Sequence, residues 1–210
     1  STFSPLLLPN CDVWFDATNA ASIVETGSSF AWTNLGASGG VAFTSAAIVP
    51  HTGVHTLNGK NVVYFDAYTV LDWVGAFPTK EKTVFVVTKV LSELSTAPTG
   101  FISYINVFSS YGLQVLTLWI SADGYGYILI GAGVDVFCGG WSPTNPYNVP
   151  TRFVMRNDLS TTANLVVVNN VSLPLSWNLP SDYNTSTLAY SIGSSGYGTA
   201  FDLAEMIIYD

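Results

Sequence analysis

Short segments rich in β-branched and aromatic residues recur along the whole of this chain, and almost none of it has the period of an amphipathic helix. Such segments are typical of β-strands. Clusters of Gly, Pro, Asn and Ser, which favour turns, separate them. We therefore predict strands at 13–17, 30–35, 41–45, 61–66, 83–90, 101–109, 113–121, 125–131, 151–158, 163–170, 188–194 and 201–210.

This spacing of short strands predicts an all-β fold, an antiparallel two-sheet β-sandwich of the jelly-roll type. At most one or two short helical turns are expected, at 18–27, where Thr18 or Asn19 is suited to cap a helix and Gly27 to end it. No internal repeat or low-complexity linker is visible, so we expect residues 1–210 to form a single domain. Because the chain begins at Ser1 without a signal-like segment, we expect it to be part of a longer protein.

The composition excludes several classes of partner. The net charge is −8, with only six Lys and Arg among 210 residues. Nucleic-acid binding and polybasic membrane contacts both need a concentration of basic residues, and none is present. No apolar run approaches the roughly 18 residues of a membrane span. A surface poor in charge and rich in Ser, Thr, Asn and Tyr suits glycans or neighbouring subunits.

Several segments, in this order, resemble the concanavalin A-like lectin/glucanase superfamily, specifically its laminin G-like jelly-roll branch. They are VWFDATNAASI, FAWTNLGASGG with its Trp32-x-Asn34-x-Gly36 spacing, LNGKNVVYFDA, KTVFVVTKV, RFVMRND, NLVVVNN and LAYSIGSSGYGTAFDLAEMIIYD. Together they cover the chain from about residue 13 to its end. The resemblance implies the sandwich fold and does not by itself specify an activity.

Catalysis of the glucanase type is not expected. The glucanases of that superfamily carry a Glu-x-Asp-x-Glu or Glu-x-Asp-x-x-Glu strand, which supplies the two carboxylates that glycoside hydrolysis requires. The four Glu residues of this chain begin no such pattern: they are Glu25, Glu81, Glu93 and Glu205. We therefore predict a protein that is not an enzyme. A glucanase-type glycoside hydrolase is kept as a minor alternative.

The loop predicted between 137 and 152 is the best candidate for glycan binding. It is long and rich in Gly and Pro, and long loops on a rigid sandwich often carry function. Aromatic side chains beside amide groups suit a sugar ring, and a second aromatic pair flanks Gly126. The candidate ligand-binding residues are Trp141, Tyr147, Asn145, Asn148, Tyr125 and Tyr127. The alternative is that Trp141 caps one end of the core.

No cofactor is required by the sequence, and calcium is the one ion that it leaves open. Calcium prefers oxygen ligands, and modules of the laminin G-like type often hold one ion at the sandwich rim. The candidate ligands are Asp123, Asn157 and Asp158. The alternative for Asp123-Gly124 is a plain hairpin turn.

Two further features leave alternatives open. His51 and His55 have the i, i+4 spacing of a zinc pair only if they lie on a helix, and Pro50 and Gly53 favour a loop instead. The two cysteines, Cys11 and Cys138, form a disulfide or remain two buried thiols.

The closing strand contains one acidic residue among apolar neighbours. We expect Ala204, Met206 and Ile208 to face the core, with Phe201, Leu203, Ile207 and Tyr209 on the other side. Glu205 is then expected to bond to a loop backbone or to Lys or Arg, so that Glu205→Gln impairs folding more than any activity.

These observations favour a non-catalytic surface module of a structural or adhesive protein, and a phage or virus particle is the favoured setting. It would bind a glycan, a cell-surface receptor or another partner surface. The alternative is a purely architectural decoration of a capsid or fibre, packed against neighbouring subunits or against copies of itself as a homo-oligomer. The expected location is extracellular or on the virion surface.

Overall fold

The computed structural model of the chain describes residues 4–44, 47–66, 68–74, 82–91, 103–110, 113–120, 126–132, 137–141, 148–157, 165–172, 190–193 and 200–209. Two 3₁₀ turns lie in these ranges, at Pro5–Leu7 and Ala20–Ser22. The described strands, numbered β1 to β17 in order, are Cys11–Asp16, Ile23–Thr26, Ser29–Thr33, Val41–Thr44, His51–Leu57, Lys60–Phe65, Val70–Val74, Lys82–Val90, Ser103–Ser110, Leu113–Ile120, Gly126–Ala132, Phe137–Trp141, Pro150–Asn157, Leu165–Val168, Val171–Ser172, Tyr190–Gly193 and Phe201–Tyr209.

The described strands form two antiparallel sheets, as predicted. The first sheet runs β15-β14-β13-β8-β17-β6-β5, and β1 also pairs with β17. The second sheet runs β12-β11-β10-β9-β16-β7-β4-β3-β2. Neither described helical turn exceeds three residues, so none is long enough to cross a membrane.

The core lies between the two sheets and is built by alternate residues of the strands. Phe15 of β1 makes edge-to-face contacts with Trp32 of β3 and Trp73 of β7, at ring centroid distances of 5.3 and 6.3 Å. Phe65 and Phe201 stack at 4.7 Å between β6 and β17. All five rings are at most 2% exposed. Buried aromatic pairs of this kind add stability beyond their buried area, and the contacts of Phe15 join the two layers.

The twelve strands predicted from the sequence are all present, with ends that shift by up to two residues. Five further strands, β2, β5, β7, β12 and β15, lie where the sequence predicted turns or made no prediction. Two of these overturn specific expectations. The loop predicted at 137–152 begins as strand β12, and the segment with His51 and His55 is strand β5 rather than a loop. In β5 a register shift between Thr52 and Thr56 accommodates Gly53, whose φ is +75°.

The predicted helical turn is confirmed, but it is shorter than the predicted range 18–27. Asn19 caps it, since its side chain accepts a hydrogen bond from Ala21 N. The turn ends at Ser22, and β2 follows at once, so Gly27 lies in the next hairpin instead.

The Trp32-x-Asn34-x-Gly36 spacing has a structural purpose. Asn34 is 5% exposed, and its Oδ1 accepts hydrogen bonds from Trp14 N at 2.7 Å and from Gly36 N at 2.8 Å. Its Nδ2 group donates to the carbonyl oxygens of Asp12 and Gly39. The Asn34 side chain therefore forms hydrogen bonds with backbone groups of β1 and of the loop after β3 that would otherwise lack partners. These contacts fix β1 against the second sheet.

The closing strand β17 contains a bulge that the sequence did not reveal. The pairing with β8 shifts by one residue between Leu203 and Glu205, and Ala204 O accepts a hydrogen bond from Ala17 N at 3.0 Å. Phe201 and Leu203 therefore face the core, contrary to the expectation above. Met206 and Ile208 face the core after the bulge, as expected, whereas Ala204 is only partly buried and does not belong to the core.

Cys11 is a buried free thiol, which removes the disulfide alternative for this residue. Its burial raises the pKa of the thiol above the ordinary value, and the nearby charge of Asp12 also raises it. Cys11 therefore acts as a small apolar residue in the described structure.

Candidate functional site

The side of the first sheet that points away from the core carries an ordered array of aromatic and charged side chains. We call it the outer face. It contains Trp14, Asp16, Tyr64, Thr83, Phe85, Val87, Lys89, Arg152, Val154, Arg156, Val167, Asp202, Glu205, Ile207 and Tyr209, which alternate along their strands with buried core residues. Antiparallel pairing places directly opposed residues on the same side of a sheet. The register therefore arranges this face in rows across the strands.

The middle row is apolar. Pairing joins Trp14 to Ile207, Ile207 to Phe85 and Phe85 to Val154, in that order across β1, β17, β8 and β13. Each of these four side chains is partly buried and partly open to solvent. Tyr209 extends the aromatic surface, because its ring makes an edge-to-face contact with Phe85 at 5.9 Å. A partly exposed aromatic row on a rigid sheet offers flat faces for a ligand ring. We call the four paired residues, without Tyr209, the Trp14 row.

Two carboxylates oppose each other beside the Trp14 row. Asp16 of β1 pairs directly with Glu205 of β17. Asp16 Oδ1 accepts hydrogen bonds from the backbone N and the hydroxyl of Thr18, at 2.8 and 2.7 Å. Glu205 Oε1 accepts a hydrogen bond from Trp14 Nε1 at 3.0 Å. The partner expected for Glu205, a loop backbone or a basic residue, is therefore replaced by an indole.

The environment of Glu205 favours its neutral form. Burial raises the pKa of its carboxyl above the ordinary value. The hydrogen bond from Trp14 opposes this rise because it stabilises the charged form, and the charge of Asp16 adds to the rise. The raised pKa means that the charged form of this carboxyl is less favourable here than it is in water.

A third acidic residue, Asp202, lies on the same strand and is buried between a histidine and a lysine. Asp202 is 0% exposed, and its Oδ1 lies 2.7 Å from His55 Nδ1. Lys89 Nζ lies 3.1 Å from Oδ2, which accepts no hydrogen bond from any described residue, so this contact is an ion pair without hydrogen-bond alignment. His55 in turn packs edge-on against Tyr64 at 5.0 Å. The four side chains of this cluster come from four different strands. This indicates a structural role, in which the cluster joins β5, β6, β8 and β17.

Strand β13 carries basic residues on the outer face. Arg152 and Arg156 are both exposed and lie on β13 on either side of Val154. Arg152 pairs with Val87, which pairs in turn with Glu205. One row of this face therefore runs from a guanidinium group on β13 to the carboxylates on β17 and β1.

Three of the six glycan-binding residues predicted from the sequence lie outside the described residues, namely Asn145, Tyr147 and Tyr125. Trp141 is the last residue of β12, and Tyr127 lies in the neighbouring strand β11. The register pairs Trp141 with Gly126 and Tyr127 with Gly140, at an edge of the second sheet. Asn148 is exposed, has φ of +59°, and donates its backbone N–H to Val90 O at 2.7 Å. These six residues remain a prediction as a site.

The calcium and zinc candidates have different outcomes. Asp123 and Asp158 lie outside the described residues, and Asn157 ends β13, so the calcium site remains a prediction. His51 and His55 have separate carboxylate partners: His51 Nδ1 lies 2.8 Å from Glu25, and His55 contacts Asp202. Among the described residues, no group of three or more His, Cys, Asp or Glu is placed to hold a metal ion.

The sequence matches no protein-family model, and no curated protein matches it. Solved structures do share its fold. A Trypanosoma rangeli sialidase in complex with the inhibitor DANA has a TM-score of 0.60 at 13% identity, covering 100% of this chain and 33% of that chain. The binding domain of botulinum neurotoxin DC in complex with SialylT has a TM-score of 0.59 at 8% identity, covering 95% and 47%.

A third similar structure is a carbohydrate esterase from the Shiga toxin-encoding bacteriophage phi24B. Its TM-score is 0.53 at 10% identity, and the match covers 93% of this chain and 96% of that chain. These structures include both enzymes and a binding domain. The chain spans 33% of the sialidase and 47% of the toxin domain. At such identities the likeness establishes the sandwich fold, and the laminin G-like branch remains a prediction.

Proposed function

We propose that this domain is a non-catalytic glycan-binding module of a larger surface protein, and that the outer face of the first sheet is its binding site. One observation carries the proposal: the Trp14 row has the carboxylates of Asp16 and Glu205 beside its β1–β17 end and arginines on either side of its β13 end. Aromatic faces pack against sugar rings, and charged groups at the border bond to hydroxyl or acidic substituents. The fold of a toxin binding domain in complex with SialylT supports the same class of ligand.

The setting that we propose is extracellular, on a structural or adhesive protein such as a phage or virus particle component. The likeness to a phage carbohydrate esterase is consistent with such a setting. A cell-surface receptor that displays the glycan is the expected partner.

A glycan array tests the proposal. We expect the wild type to bind a defined set of glycans and Trp14→Ala to lose them. Phe43→Ala is the matched control, because Phe43 is an aromatic residue 47% exposed on the second sheet. Thermal unfolding of each variant separates lost binding from lost folding.

The loop predicted from the sequence is the competing location for the same function. If Trp141→Ala abolishes binding and Trp14→Ala leaves it intact, the glycan site lies near the edge of the second sheet instead. If no glycan binds, the architectural alternative is favoured. Light scattering at high concentration would then be expected to reveal a homo-oligomer or a stable complex with another subunit.

Glycoside hydrolysis is a second candidate because Asp16 and Glu205 oppose each other. Directly opposed residues of antiparallel strands lie on the same side of the sheet, and retaining glycosidases use two carboxyl groups that are close together, at about 5–5.5 Å. Against it, Asp16 is held by Thr18 and Glu205 by Trp14. Hydrolysis of a β-glucan panel by the wild type, abolished in Glu205→Gln, would establish this alternative.

A further inference from the structure

The hairpin between β14 and β15 carries an asparagine that the proposed binding site does not use. The segment Asn170-Val171-Ser172 has the pattern Asn-x-Ser, with x other than Pro, at which oligosaccharides are attached to secreted proteins. A second such pattern, Asn184-Thr185-Ser186, lies outside the described residues. Short patterns of this kind also arise by chance, so the structural setting of Asn170 decides whether it is suited to be an acceptor.

The turn places the whole pattern on the surface. Strand β14 ends at Val168 and β15 begins at Val171, so only Asn169 and Asn170 connect them. Both asparagines have a positive φ, +49° and +70°, as a two-residue hairpin of type I′ requires. Both are exposed, and so are Val171 and Ser172 after them. The acceptor pattern therefore lies at the tip of a tight hairpin, where a bulky group meets no steric barrier.

The two asparagines of this turn differ in their contacts. Asn169 is bound to β13: its Oδ1 accepts a hydrogen bond from Arg152 N at 2.9 Å, and its own N–H donates to Arg152 O at 3.0 Å. The side chain of Asn170 forms no hydrogen bond with any residue that the structure describes. One asparagine therefore anchors the turn, and the amide group of the other is open to solvent.

We propose that Asn170 is a site of N-linked glycosylation when the chain passes through a eukaryotic secretory pathway. In this reaction an oligosaccharyltransferase joins Asn170 Nδ2 to C1 of the first sugar of a lipid-linked oligosaccharide. The bond between C1 and the diphosphate oxygen breaks, the diphosphate leaves with the lipid, and Nδ2 releases one proton. The inference goes beyond the proposed function and does not depend on it.

The attached glycan covers one edge of the first sheet and leaves the Trp14 end of the outer face free. Strand β15 is the last in the described order of this sheet, and its Val171 is 62% exposed. An open edge strand with exposed apolar residues favours aggregation, and a bulky, soluble group beside it opposes pairing with another chain. From β15 to β1 the sheet spans five strand spacings, about 24 Å, so Trp14 remains accessible.

Expression of the full chain with a secretion signal in cultured mammalian cells tests the inference. We expect the wild type to carry a glycan that peptide N-glycosidase removes, and glycopeptide mass spectrometry to place it on Asn170, separately from Asn184. Asn170→Gln and Ser172→Ala should each abolish the glycan at this position. Asn169→Gln is the matched control, because Asn169 lies in the same turn but outside the pattern, and should retain the glycan.

An unmodified Asn170 in the wild type would overturn the inference, and so would a glycan on Asn170 that survives Ser172→Ala. Neither result would affect the proposed function, since Asn170→Gln should bind glycan ligands as the wild type does. A glycan on Asn170 of a protein that binds no ligand on an array would leave the inference intact and remove only the proposed function.

Discussion

Trp14 donates its indole N–H to Glu205 across the β1–β17 pair, and the two residues are 191 positions apart in the sequence. This contact fixes both an aromatic ring and a carboxyl group on the outer face. Because the donor is an indole, Glu205 has no basic partner in the contact. Burial therefore destabilises the charged form of Glu205 in the folded domain, and the charge of Asp16 destabilises it further.

The indole partner reverses the expectation from the sequence that Glu205→Gln impairs folding: the variant should instead stabilise the domain at neutral pH, by no more than about 1 kcal/mol because solvent screens the site. The amide oxygen still accepts the Trp14 hydrogen bond. The folded pKa of Glu205 is raised, so the unfolded chain loses its proton first as pH rises. Relative to the variant, the wild type should therefore lose stability as pH rises above the ordinary Glu value of 4.5, up to the raised folded value.

Urea unfolding at a series of pH values measures this difference. Well below pH 4.5 the wild type and Glu205→Gln should be equally stable, because both side chains are then neutral in the folded and the unfolded chain. Asp16→Asn should reduce the pH dependence, since it removes one of the causes of the raised pKa. A variant that is less stable than the wild type at pH 7 would contradict this account of the contact.

The sequence predicted the sandwich because its strands are rich in β-branched and aromatic residues between turn clusters. It also pointed to Asn34 and Gly36, whose spacing marks the loop that docks on β1. The strand β5 was missed because it is polar and contains Gly53. The sequence alone does not distinguish a glycine within a bulge from a glycine in a loop.

The candidate site was less predictable than the fold. Asp16 and Glu205 become neighbours only because the first and last strands pair, and no local pattern encodes that pairing. The bulge at Ala204 had no signature either, and it reversed the assignment of Phe201 and Leu203. Sheet order and bulges are properties of the whole fold, whereas the periodicity of a strand is local.

The bulge yields a second prediction. Deleting Ala204 leaves the two faces of the strand unchanged, because Leu203 and Glu205 already pair with consecutive residues of β8. The deletion does remove the carbonyl group that accepts the hydrogen bond from Ala17 N. We expect the deletion variant to remain folded, as judged by circular dichroism, and to lose about 1 kcal/mol of stability in urea unfolding. Ala204→Ser keeps the residue count and should be as stable as the wild type. An unfolded deletion variant would show that β17 needs the bulge in order to pair with its neighbours.

The two His–carboxylate pairs allow a matched test of burial. Asp202→Asn leaves Lys89 in a largely buried position without a counter-charge, and should lower the free energy of unfolding by about 3 kcal/mol. Glu25→Gln affects the exposed pair with His51 and should cost less than about 1 kcal/mol. Denaturant unfolding of both variants compares them. Equal losses would contradict a structural role for the Asp202 cluster.

Gly36 provides the last prediction, because its position leaves no room for a side chain. A Cβ there would overlap the carbonyl group of Asp12 and lie 2.7 Å from Val13 N, and both are backbone atoms of β1 that cannot turn aside. Gly36→Ala should therefore push the loop away from β1, weaken the Asn34 hydrogen bonds and cost more than about 2 kcal/mol of stability. Gly27→Ala is the matched control, since no atom outside its chain neighbours lies within 4 Å of the added Cβ. Thermal unfolding should show a clear fall in melting temperature for Gly36→Ala and little change for Gly27→Ala. Equal melting temperatures would mean that the loop after β3 can move away from β1 without loss, and that the Trp32-x-Asn34-x-Gly36 spacing does not anchor this strand.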